Sequence, residues 1–206
     1  MNLPSEQQIY ELHKKICPAE SKQLLDIVWN HCVIVKDISM LVVDYLEQHR
    51  IDVNRELVVV GALVHDVGVY KCLNNKNERL QPYIRHGVEG ESILLEEGYP
   101  YKIARFASHH TGVGITIEDI ENQNLPLNKD DYIPVTLEEE VVAYADKFHS
   151  KKPCFNSYES QQEALAHHNG DNTVKLTTFK KKFGIPDLTE LKKQYEKWQQ
   201  EFKWGD

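Results

Sequence analysis

The chain has 206 residues, 41% hydrophobic and 27% charged, with a net charge of −8. That balance suits one globular domain with a sizeable core, or a domain plus an appendage. The acidic excess argues against a binder of nucleic-acid polymers or a basic membrane-surface protein, but not against a small anionic substrate, because a bound metal can reverse the local field.

In chain order, MNLPSEQQIYELHKK lacks the apolar core of a secretory leader, and no later apolar run approaches the ~18 residues of a membrane span. A cytoplasmic location with no membrane partner is the expectation. Residues 5–17 predict a short amphipathic helix stopped by Pro18. Residues 20–49 predict a long helix, with Leu24, Val28, His31, Val35, Ile38, Val42 and Tyr45 forming one buried seam. A third helix starts near Asn54, a good N-cap, and carries GALVHDVGVY at residues 61–70. The polar stretch 71–85 reads as a loop. Helices of about 87–97 and 100–110 follow, separated by Gly98 and Pro100. Residues 111–135 contain Gly, Asn and Pro and allow one helical turn. Thr136 caps a helix through about 149, with Glu139 placed for a capping box. Residues 150–170 read as irregular, and helices of about 171–183 and 187–203 end the chain. No strand, repeat or low-complexity segment stands out. The expected fold is all-α: one domain over 1–206, with its core at about 20–150 and a C-terminal helical extension at about 151–206. Cys17, Cys32, Cys72 and Cys154 form no C-x-x-C pair and read as reduced thiols.

Polar residues at apolar positions carry the chemistry. His65 and Asp66 sit in the middle of an apolar helix, where an unpaired buried carboxylate costs on the order of several kcal/mol. His31 interrupts the seam of the long helix. Asp146 lies on the apolar side of its helix. His109 and His110 close a helix containing Ile103, Ala104, Phe106 and Ala107, and His86 opens the helix after the polar loop. Each alone reads as a hydrogen-bonded core or surface residue. Together, five imidazoles and two carboxylates on helix positions that can face one interior make the ligand set of zinc, iron, manganese or cobalt rather than calcium. Seven ligands exceed the needs of one tetrahedral ion, and Asp66 could bridge two.

The order His31, His65-Asp66, His86, His109-His110, Asp146 resembles the HD-domain superfamily of metal-dependent phosphohydrolases, in the subgroup named for H-D-I-G; here the tetrapeptide is HDVG. HGVEGESIL, ASHHTGVG and LPLNKDDYIPVTLEEEVVAYADKF resemble an uncharacterised HDIG-type subfamily over roughly residues 25–150. The resemblance implies a helical bundle around a buried centre of two divalent transition-metal ions (Fe, Mn, Co, Ni or Zn). One would be held by His31, His65, Asp66 and Asp146, the other by Asp66, His86, His109 and His110. Cyclic-dinucleotide phosphodiesterases of this superfamily often have Lys three residues after the Asp, where this chain has Val69. The G-Y-P tripeptide of one such branch is replaced by TGVG after the His pair.

The implied chemistry is hydrolysis of a small phosphorylated molecule, a nucleotide or related phosphate ester, by a hydroxide bridging the two ions. The site would then carry a net charge of about +1, attractive to phosphate. Asp66, Lys147 and Arg105 are the catalytic candidates, Lys147 because the ADK segment matches the subfamily. Lys71 and Arg85 are the substrate-binding candidates, on a 71–85 loop expected to line the entrance. Lys180, Lys181 and Lys182 read as a solvated face, and His13, His49, His149, His167 and His168 as structural. Two alternatives stand beside hydrolysis: a mixed-valence di-iron oxygenase of the same superfamily, and a non-catalytic metal-binding regulatory domain. The His109-His110 pair favours hydrolysis.

Overall fold

The computed structural model describes residues 3–19, 21–74, 76, 78–166 and 170–202. His167 and His168 lie outside them. The elements in chain order are α1 (Glu6–Ile16), α2 (Lys22–Gln48), α3 (Arg55–Val64), α4 (Val69–Cys72), a 3₁₀ turn (Tyr83–Arg85), α5 (His86–Glu96), α6 (Tyr101–Ser108), α7 (Ile117–Gln123), α8 (Leu137–Asp146), the two-stranded hairpin β1 (His149–Ser150) and β2 (Cys154–Phe155), α9 (Tyr158–Ala166), α10 (Gly170–Phe183) and α11 (Thr189–Glu201).

The helix starts follow local chemistry. Ser5 and Gln8 close a capping box on α1, Asn54 accepts from the Leu57 amide at the start of α3, and Thr136 and Glu139 form the expected capping box on α8. The α2 seam is buried at Leu24, Val28, His31, Val35, Ile38 and Val42. Around it pack α3 and α8, while α5 and α6 pair with each other and α6 lies against α3. These helices share one continuous apolar core that includes Leu63, Val64, Leu94, Ala107 and Tyr144. The exposed α11 is pinned to α2 by Tyr195, whose hydroxyl donates to Asp37 (2.5 Å), and by Trp198, whose indole N–H donates to Asp26 (3.0 Å).

Three expectations change. The apolar stretch around HDVG is not one helix: α3 ends at Val64, turns cover residues 65–68, and α4 follows. Gly68 has ordinary right-handed dihedrals, and its missing side chain is what lets this turn pack closely: a Cβ there would lie 2.0 Å from the His86 carbonyl oxygen and 2.4 Å from the Gly90 amide nitrogen. The bend thus seats the HDVG backbone directly on the start of α5. Second, residues 149–155 make a small antiparallel ladder pairing His149 with Phe155; two-residue strands are too short to leave a period-two pattern. Third, α9 lies within the stretch read as irregular. It buries only Tyr158, so it carries no apolar stripe to be read.

Candidate metal centre

Helix ends build the site. His31 comes from the middle of α2, His65 caps the C-terminus of α3 and Asp66 follows it, His86 is the first residue of α5, His110 lies two residues past the end of α6, and Asp146 is the last residue of α8. His31, His65, Asp66, His86 and His110 are all buried.

Backbone carbonyls set the imidazole orientations. Nδ1 of His65 lies 2.7 Å from the Ala62 oxygen, Nδ1 of His86 2.7 Å from the Tyr83 oxygen, and Nδ1 of His110 2.7 Å from the Ala107 oxygen. A carbonyl only accepts, so each Nδ1 carries a hydrogen and each Nε2 is left to face the interior. There the Nε2 atoms form two pairs, His31–His65 at 3.3 Å and His86–His110 at 3.1 Å.

Asp66 lies between the pairs with its oxygens divided. Oδ2 is 3.1 Å from His31 Nε2 and 3.3 Å from His65 Nε2. Oδ1 is 3.5 Å from His86 Nε2 and 3.6 Å from His110 Nε2. Asp146 Oδ1 joins the first pair, 3.0 Å from His31 Nε2 and 3.6 Å from His65 Nε2. Among the described residues, His31, His65 and Asp66 form one group able to hold a metal ion, and Asp66, His86 and His110 a second.

The donor chemistry fits cations. Neither Asp66 oxygen accepts a hydrogen bond of good geometry although both are fully buried. Burial works against its charge, but the Lys151 ammonium and His65 outweigh it and hold the carboxyl well below the usual range. Burial pushes His86 down to about 4 and His110 well below its ordinary value, so both rings present neutral nitrogens at neutral pH. His65 differs: burial opposes its charge, yet Asp66, Asp146 and their hydrogen bonds hold its ring protonated well above 6.5. A cation binding there must displace that proton.

A cleft of ≈ 520 Å³ opens on the His31 side, and its wall carries Arg79, Lys147, Lys151 and Lys152 beside His31 and Asp146. Leu24, Ile27, Leu73 and Tyr83 also line it.

Other residues singled out in the sequence fall as follows. Lys147 lines the cleft, with Nζ 2.9 Å from Asp146 Oδ2. His109 is outside both groups: its Nδ1 lies 2.5 Å from Ser108 Oγ and its ring meets Tyr132 edge-on. The Arg105 guanidinium binds both Glu139 oxygens (2.8 and 3.2 Å), bracing α6 against the cap of α8. Arg85 is engaged by Gln81, Glu89 and the Pro126 carbonyl. Lys71 is exposed and does not border the cleft; from the same loop, Arg79 does.

Three contributors escaped the sequence reading. His149 places Nδ1 2.9 Å from His31 Nδ1. Burial pushes it down to about 2, so it is neutral, and its contact with Nδ1 leaves His31 Nε2 facing the carboxylates. Lys151 is ion-paired to Asp66 Oδ2, and Tyr83 stacks on His86 with ring centroids 4.7 Å apart. The only signal for the first two was the polar run HSKK directly after the Asp146 helix.

A family description, HD domain, matches residues 28–151. The chain belongs to the HD-domain family. The matched span begins on α2 and closes on Lys151, enclosing both groups and the hairpin start. An uncharacterized protein of Methanocaldococcus jannaschii is 37% identical over 119 residues, covering 58% of this chain and 64% of that protein. Two relatives bear the name tRNA (cytidine(56)-2'-O)-methyltransferase. The Picrophilus torridus protein is 34% identical over 66% of this chain and 36% of its own length. That of Thermoplasma volcanium is 36% identical over 59% and 31%. The matched stretch is thus less than two thirds of each of these relatives. Two crystal structures of the HD domain of the L. monocytogenes phosphodiesterase PgpH share the fold. The one in complex with cyclic-di-AMP has a TM-score of 0.53 at 15% identity, covering 91% of this chain and 96% of that one. The other has a TM-score of 0.52 at 14% identity, covering 91% and 98%. The HD fold is therefore present as an all-α bundle, and its buried His and Asp residues could hold metal ions. No described helix is long and apolar enough to cross a membrane.

Proposed function

We propose that this HD-domain chain is a metal-dependent phosphohydrolase acting on a small phosphorylated molecule, a nucleotide or related phosphate ester. One observation carries the reading. Asp66 turns each oxygen toward a different imidazole pair beside a cleft walled by cations. His31, His65, Asp66 and Asp146 would hold one divalent ion, and Asp66, His86 and His110 a second, with His109 as an added ligand if its ring turns from Tyr132. Such a pair of ions supplies a water nucleophile at neutral pH and withdraws charge from a phosphoryl oxygen.

The chain's own groups do the rest. Lys147, Lys152 and Arg79 attract the anion and orient it by charge-assisted hydrogen bonds. The wall of Ile27, Leu73 and Tyr83 receives an apolar or ring-bearing portion of the substrate, a division usual in small-molecule sites.

The test is anaerobic, metal-replete purification with elemental analysis. A panel of phosphorylated metabolites, cyclic-di-AMP among them, is then assayed with and without oxygen. Oxygen-independent, chelator-sensitive hydrolysis that places label from ¹⁸O-water on the phosphate-containing product is the expected result. Oxygen consumption with no label on phosphorus would establish the oxygenase alternative. Bound metal without turnover of any member would leave a regulatory domain.

A further inference from the structure

Lys151 has a position that a purely structural lysine would not need. Its ammonium is ion-paired to Asp66 Oδ2, the carboxylate that both imidazole pairs share. The same side chain lines the cleft and remains 20% exposed, whereas Asp66 is fully buried. Lys151 therefore connects the floor of the centre to the space where a ligand would sit. Its ammonium is 5.8 Å from the centre of the Tyr83 ring on the cleft wall, a second favourable surface for a cation.

The backbone under Lys151 is held, and the side chain, ion-paired to Asp66, is 20% exposed at the cleft. Lys151 follows β1 directly, and its neighbour Lys152 is tied back by its amide to Ser150 Oγ (3.2 Å). The β1–β2 pairing fixes the ends of this turn. Four methylenes with staggered minima at each bond give the ammonium two directions, inward to Asp66 or outward past Tyr83.

Charge decides between them. A fully buried Asp66 needs a counter-cation at all times. With its oxygens shared between divalent ions, an ammonium in contact with Oδ2 would face strong like-charge repulsion at short range. Outward, it meets open cleft beside Lys147 and Lys152, a cluster of like charges that is favourable only with an anion among them.

We propose that Lys151 is a two-position residue: it neutralises Asp66 in the metal-free chain, and turns into the cleft to bind a phosphate oxygen when metal occupies the site. The second position rests on the metal centre of the phosphohydrolase reading, not on turnover; the first rests on neither.

The experiment uses Lys151→Met, which keeps length and loses charge, with Lys181→Met, exposed and away from the cleft, as control. Melting temperature is measured without metal and with saturating Mn²⁺. Binding of inorganic phosphate to the Mn²⁺-loaded protein is measured by calorimetry. The expected result for Lys151→Met is a lower melting temperature without metal, an unchanged one with Mn²⁺, and phosphate binding weakened about tenfold. In wild-type protein, reductive methylation of Lys151 followed by mass spectrometry should be slow without metal, faster with Mn²⁺, and slowed again by phosphate. This readout needs no variant to fold. Equal destabilisation with and without Mn²⁺, or unchanged phosphate affinity, or methylation indifferent to metal, would overturn the two-position role. If wild-type protein binds Mn²⁺ and these shifts appear but no phosphorylated compound is hydrolysed, the phosphohydrolase reading fails and Lys151 keeps its role. If wild-type protein takes up no metal, the phosphohydrolase reading and the second position of Lys151 both fail.

Discussion

The two imidazole pairs share Asp66 but have different surroundings. His31 and His65 have a second carboxylate in Asp146, the neutral His149 behind His31, and the cleft in front. His86 and His110 meet a carboxylate only at Asp66 Oδ1 among the described residues of their group, and neither borders the cleft. The first group therefore offers more negative charge to a cation and an approach for substrate, while the second offers mainly neutral nitrogen. Coulomb attraction favours the first group, and nitrogen-rich coordination lets the second select borderline metals. The centre should fill and empty in order: the first group holds its ion, and the second exchanges.

The largest effect that could break this asymmetry is at the shared residue. Asp66→Asn should empty both groups and reduce hydrolysis by at least about a thousandfold, since both ions' contributions go together. Elemental analysis finding both metals retained would show that Asp66 does not bridge. Next come variants that separate the pairs. His110→Ala should leave one tightly held ion, whereas Asp146→Asn should release the ion of the first group and loosen the other little. Metal content after stepwise dialysis checks this, and equal loss in both variants would erase the difference between the groups.

Gly68→Ala acts on the second group from a distance. Its Cβ would collide with the His86 carbonyl and the Gly90 amide, both backbone atoms that cannot turn aside. Pushing α5 away should lower stability by about 1–3 kcal/mol and weaken the ion held by His86, with the first ion unaffected. Chemical denaturation with metal titration measures both. His149→Leu works on the other side: without the Nδ1–Nδ1 contact, His31 loses its orienting partner, and affinity in the first group should fall about tenfold or somewhat more.

The smallest expected effect concerns pH in the metal-free chain. His13 is fully buried, its Nδ1 beside the Tyr70 hydroxyl (2.9 Å) and its Nε2 beside the Leu63 carbonyl (2.9 Å). Burial pushes it down to about 4 from 6.5. Between those values the unfolded chain binds the extra proton and the folded chain does not, so stability rises with pH across that window. Below about pH 4 this one residue costs about 3 kcal/mol relative to neutral pH. His13→Gln should flatten the pH dependence of unfolding free energy by up to one proton's worth between pH 4 and 6.5. His86, His109, His110 and His149, all lowered by burial, keep the remaining slope. An unchanged slope in the variant would remove His13 from the account.

Helix existence was legible because each cause is local. The α2 seam, the Asn54 cap and the Thr136–Glu139 box act within one or two turns, and each formed as the residues indicate. His31, His65, Asp66, His86, His110 and Asp146 were legible as polar residues on apolar faces in a family order, and the fold brings them together. Arg105 shows where that kind of reading stops. A cation one turn before a ligand looks catalytic in sequence, but its partner Glu139 is 34 positions away and already engaged in capping α8.

By itself, then, the sequence determined the helical bundle and the set of residues available to a metal, because periodicity and capping are short-range and burial of charge is costly wherever it occurs. Tertiary structure alone decided how those residues divide. The close seat of Gly68 on α5 brings Asp66 between two pairs of rings, His109 turns to Tyr132 while His110 turns inward, and a two-stranded hairpin delivers His149 and Lys151. These are contacts between residues tens of positions apart in the chain. Their geometry is set by how closely backbones can approach and by which charge lies nearest, quantities that exist only once the helices have packed.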